Sequence, residues 1–121
     1  MRYMFLIYSQ ETLDGPAPEE IEGLKSRHWA VIEEVTRKGI LVGVDALKPT
    51  STATTVRMKH GQPLTIDGPF AETKEQLAGY YILDCRDLDE AIEWARKIPT
   101  TCKGAEGCIE IRPVQELAHR P

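Results

Sequence analysis

The chain has 121 residues, 41% of them hydrophobic and 28% charged, ordinary values near the commonest domain size, so a single domain over 1–121 with a short polar tail from about 114 is expected. With 15 Lys and Arg against 19 Asp and Glu, the net charge is −4, which leaves no electrostatic reason to approach phosphate backbones or anionic lipid; direct nucleic-acid binding and membrane association are therefore not expected. No apolar run approaches a membrane span or a secretory leader, and Cys85, Cys102 and Cys108 lack the Cys-x-x-Cys pitch of zinc or redox sites, so free thiols in the cytoplasm are the expectation.

Arg2 to Tyr8 is an apolar, aromatic-rich run of strand length that stops at the polar stretch from Ser9 to Pro18. Pro18 suits the first helical position, Glu19 and Glu20 favour the positive end of a helix dipole, and Gly39 after Arg37-Lys38 is a stop signal, which predicts a helix from about Pro18 to Lys38. On its wheel Ile21, Leu24, Val31, Ile32 and Val35 form one stripe, with His28 near the middle and facing the sheet.

Ile40 to Val44 is strand-like again. Thr52 to Met58 alternates, and Leu64 to Ile66 returns after Lys59-His60-Gly61-Gln62, a predicted hairpin turn whose basic residues read as a solvated tip. After the sharp break Asp67-Gly68-Pro69-Phe70, Leu77 to Cys85 reads as a central strand. Asp87-Leu88-Asp89-Glu90 has the spacing of a capping box, and Leu88, Ala91, Ile92, Ala95 and Ile98 make a second amphipathic stripe ended by Pro99. Cys108 to Pro113 supplies a last strand.

The predicted class is α+β: a ferredoxin-like βαββαβ plan with an inserted β-hairpin, an antiparallel sheet and both helices on one face. Strands carrying Tyr3, Phe5, Tyr80 and Ile82 are apolar on both sides, so the open face is expected to pack against a second copy, making a homodimer.

His28 is the first chemical candidate, because imidazole titrates near neutrality and acts as an acid or base once oriented. Asp67 is a partner by type; the alternative is a core histidine and a turn-capping aspartate. Glu72, Lys74, Glu75 and Gln76 form a polar cluster after the break, either a pocket mouth or a solvated loop. Tyr8, Tyr80 and Tyr81 can each present a hydroxyl at a pocket edge. No triad spacing or phosphate-binding glycine pattern is present, and neither a metal nor an organic cofactor is expected.

The run from Asp67 to Tyr81 resembles the signature of the DGPF branch of the YCII-related family. Met4-Phe5-Leu6-Ile7-Tyr8, His28, the run from Thr52 to Arg57, Asp87 to Ala91 and Ile109 to Pro113 are similar as well. The resemblance implies a dimeric α/β barrel and a His-Asp pair at His28 and Asp67. In the wider family it implies lyases acting on small ring-containing substrates. The leading expectation is a small-molecule enzyme of lyase or isomerase type in which His28, oriented by Asp67, moves a proton while Phe70, Glu72, Lys74 and Tyr80 shape the pocket. The alternative is a non-catalytic ligand-binding or protein-interacting module associated with transcription regulation.

Overall fold

The computed structural model describes residues 1–11, 17–100 and 106–117; Cys102 and the end of the polar tail lie outside them. In chain order the elements are β1 (Arg2–Ser9), α1 (Pro18–Arg37), β2 (Leu41–Ala46), a 3-10 turn (Thr50–Thr52), β3 (Thr54–Lys59), β4 (Gln62–Asp67), β5 (Gln76–Asp84), α2 (Leu88–Lys97) and β6 (Gly107–Pro113). The α+β plan expected from the periodicities is what forms. The differences lie at element ends: β2 runs two residues beyond Val44, and Thr52 belongs to the 3-10 turn, held by its hydroxyl on the Pro49 carbonyl (2.7 Å).

Both helix starts follow their sequence signals. Pro18 opens α1 with Glu19 and Glu20 in its first turn, where a missing N–H costs nothing and negative charge meets the positive end of the dipole. The Asp87 carboxylate caps α2 by accepting from the Glu90 N–H at 2.9 Å. Glu90 does not close the reciprocal half of the box; its side chain accepts from the Arg86 N–H instead (3.0 Å).

The main sheet has four strands in the order β2-β5-β1-β6, every neighbouring pair antiparallel, an arrangement consistent with a ferredoxin-like fold. Its register puts Phe5 opposite both Tyr81 and Ile111, and Tyr3 opposite Leu83. These residues, with Ile7, form one apolar sheet face against Val31 and Val35 of α1 and Ala91, Trp94 and Ile98 near α2. Each large side chain removed from water here contributes about 1.5–3 kcal/mol before entropy is counted. On the other face Met4, Leu6, Tyr80 and Ile82 stay only half-buried. The β3–β4 hairpin forms its own two-stranded sheet, with every strand residue but Thr55 exposed.

Gly79, in the middle of β5, has a packing reason to be glycine. A Cβ there would lie 2.7 Å from the Asp45 carbonyl oxygen and 3.2 Å from the Ala46 Cα, so any side chain would push β2 away from β5.

Candidate functional site

His28 faces the sheet, as its place in the α1 stripe predicts, and meets a residue on β5. Its Nδ1 lies 2.8 Å from the Tyr81 hydroxyl, and the two rings stack at 5.9 Å between centroids. Burial, helped by the nearby Arg27 charge, lowers the His28 pKa from its usual 6.5. Burial likewise pushes the Tyr81 phenol up to about 12. Both groups are therefore neutral near pH 7, one hydrogen bond joins Nδ1 to the phenol, and the hydroxyl also lies 3.5 Å from the His28 carbonyl oxygen. Asp67 lies elsewhere, exposed at the end of β4 opposite Thr54. Among the described residues no hydrogen bond or ion pair joins it to His28.

The Asp67-Gly68-Pro69-Phe70 run is a rigid corner. Gly68 has φ of +97°, a conformation that disfavours other residues. Its N–H donates to the Ala53 carbonyl (2.7 Å) and its carbonyl accepts from the Thr55 hydroxyl (2.8 Å). The corner delivers Pro69 and Phe70 to one side of a cavity of about 480 Å³, whose other walls include Tyr8, Leu47, Pro49 and Leu77. That volume falls within the range of about 300–1,000 Å³ usual for small-molecule sites. Lys48, Thr50, Glu75 and Gln76 supply polar groups around it.

The segments around this cavity are tied together by Glu11. Its carboxylate accepts from the Thr50 N–H (2.9 Å) and hydroxyl (2.7 Å), while its own N–H donates to the Gln76 side chain (2.8 Å). Gln76 in turn donates to the Thr73 carbonyl. One residue thus joins the stretch after β1 to the 3-10 turn through its carboxylate and to the start of β5 through its backbone N–H.

Of Phe70, Glu72, Lys74 and Tyr80, only Phe70 lines this cavity, whereas Glu75 and Gln76 of the polar cluster and Tyr8 do line it. Glu72 is exposed on the β4–β5 connection, and Lys74 pairs with Glu106 at 3.6 Å. Tyr80 points to the open sheet face, where its hydroxyl donates to Asp45 at 2.5 Å and that bond raises its pKa. Glu11, Asp45 and Lys48 had no motif to single them out; Tyr8 carried the signal of an aromatic at the end of an apolar strand.

A second hollow of about 490 Å³ lies near Met1, between Lys38, Asp84, Cys85, Arg86, Glu90 and Trp94. Two ion pairs take up four of its five charges: the Met1 amine meets Asp84 at 2.8 Å and Arg86 meets Glu90 at 3.1 Å. Burial, reinforced by the Glu90 and Asp84 carboxylates, pushes the Cys85 thiol up to about 11, leaving it unreactive at neutral pH. Neither cavity is lined by His28 or Asp67. Among the described residues no group of three or more His, Cys, Asp and Glu is placed to hold a metal, and no helix is long and apolar enough to cross a membrane.

A family model described as "YCII-related domain" matches residues 1–118. An uncharacterized protein of Rhizobium meliloti (strain 1021) is 39% identical over 115 residues, covering 94% of this chain and 92% of that protein.

Proposed function

Because this chain belongs to the YCII-related family, we propose that it binds a small molecule with an apolar body in the cavity beside Phe70, as a homodimer of the DGPF branch. The observation that carries this reading is Phe70 itself. It remains 72% exposed although a rigid corner fixes the backbone before it and the cavity walls beside it are apolar, an arrangement that suits an aromatic face waiting for a ligand. The test is titration with a neutral aromatic probe such as benzyl alcohol, followed by NMR. Shifts should centre on Tyr8, Leu77 and Phe70, and Phe70→Ala should weaken binding several-fold; unchanged binding in that variant would refute the reading.

Two features support a second copy. The open sheet face presents Met4, Leu6, Tyr80 and Ile82, and the hairpin exposes Val56 and Met58 at 64% and 65%. An isolated two-stranded hairpin is marginal in water, so covering it by a partner would stabilise it. Arg57 and Lys59 give the hairpin a basic stretch in a chain of net charge −4, a charge contrast that favours contact with another copy's body. A dimeric barrel closed over the open face fits these surfaces.

Proton transfer of lyase or isomerase type is the second reading, favoured by a half-buried, neutral His28 held in one orientation. Tyr81 is its orienting partner within the chain. A role for Asp67 is tested by following the His28 titration in Asp67→Asn: a shifted pKa supports the pair, and an unchanged one removes Asp67 from it. A non-catalytic ligand sensor, including one that acts beside the transcription machinery, would use the same Phe70 cavity, and product formation from a bound ligand separates it from an enzyme. The unreactive Cys85 and the free Cys108 fit a cytoplasmic setting.

A further inference from the structure

Several charges on this surface are paired: Arg2 with Glu116, Lys25 with Glu22, Lys74 with Glu106, Arg96 with Glu93 and Lys97 with Glu34. Lys48 and Glu75 are among those that are not. Both line the Phe70 cavity, yet among the described residues neither forms an ion pair, with the other or with anything else. Each sits on a fixed backbone. Lys48 precedes the Pro49–Thr50 step clamped by Glu11, and the Glu75 carbonyl accepts from the Thr73 hydroxyl at 2.7 Å. The cavity thus offers one cation and one anion, further apart than an ion pair allows, around an apolar centre.

From this arrangement, and resting on the binding reading above, we propose that the molecule taken up is a small zwitterion with an apolar or aromatic body, of the α-amino-acid kind. Its carboxylate meets Lys48, its ammonium meets Glu75, and its body lies against Phe70 and Tyr8. A monoanion would be attracted by Lys48 and repelled by Glu75, and a monocation the reverse. Only a molecule carrying both charges gains at both ends, and anchored segments spend little entropy in receiving it.

The experiment titrates the full-length protein near pH 7 with phenylalanine, 3-phenylpropionate, 2-phenylethylamine and benzyl alcohol. Phenylalanine should bind roughly tenfold tighter than benzyl alcohol, since each solvent-facing ion pair contributes roughly a three- to fivefold gain. Lys48→Gln should weaken phenylalanine and phenylpropionate by roughly that factor and tighten phenylethylamine slightly, because the repelling cation is gone; Glu75→Gln should show the mirror pattern. Phenylalanine binding no tighter than benzyl alcohol, or binding indifferent to both substitutions, overturns the inference. If benzyl alcohol then still binds in a Phe70-dependent way, the cavity reading survives alone. If none of the four probes binds, or if binding ignores Phe70→Ala, both readings fall.

Discussion

Replacing Tyr81 by Phe removes one oxygen and little else, so it isolates the bond to His28. The ring stays to stack on the imidazole and to fill the space between Phe5 and Val44, its cross-strand neighbours. What is lost is a 2.8 Å hydrogen bond to Nδ1. A typical intramolecular hydrogen bond contributes about 0.5–1.5 kcal/mol net, and a buried acceptor left without a donor costs about 1–3 kcal/mol. His28 is half-buried, so water can replace part of the loss, and about 1 kcal/mol is the working figure. For a chain of this size that lowers Tm by roughly 3–6 °C. Differential scanning calorimetry measures the change, and nitrogen-resolved NMR of the imidazole reports the tautomer. One imidazole tautomer should dominate in the wild type, and the proton should redistribute between the two nitrogens in Tyr81→Phe. A Tm within about 1 °C of wild type and an unmoved tautomer would refute the assignment of Tyr81 as the partner.

Gly79→Ala should destabilise the fold by about 1–3 kcal/mol in urea titration, because the new methyl would meet the Asp45 carbonyl at 2.7 Å. The His28 pKa, lowered in the fold from 6.5, fixes the sign of one pH effect. Above 6.5 the residue is neutral in both states and contributes nothing; as pH falls below it the unfolded chain takes up the proton first, so stability falls until the folded value is passed. The wild type should accordingly lose more stability than His28→Gln between pH 7.5 and that lower limit, as read from urea midpoints. Val56→Asp with Met58→Asp should shift sedimentation from dimer towards monomer while phenylalanine or benzyl alcohol binding is measured alongside. Retention of the wild-type mass would show that the hairpin is not the contact. Asp87→Ala should cost about 0.5–2 kcal/mol through loss of the cap on α2.

Periodicity and punctuation sufficed to place β1, α1, β5 and α2, because helix and strand alternation, Pro18, Gly39 and the Asp87 cap act within a few residues of chain. The same local signals put His28 on the inward stripe of α1 and marked the Asp67–Phe70 corner as a break. What tertiary structure alone decided was which residue each candidate meets. Period two says that Tyr80 and Tyr81 point to opposite sides of β5, but only the register against β1 and β2 sends Tyr81 under the helices to His28 and Tyr80 to Asp45 on the open face. Asp67, a sound partner for histidine by chemistry, forms no bond with it in the folded chain. Glu11, Lys48 and Glu75 belong to three different segments; Glu75 stands in the polar cluster that follows Phe70, but nothing in the local sequence of Glu11 or Lys48 links them to it. They come together because β1 and β5 pair side by side, so that the end of one strand lies beside the start of the other, and the connection after β2 folds across the same end. The site is a product of long-range pairing, which no local pattern encodes.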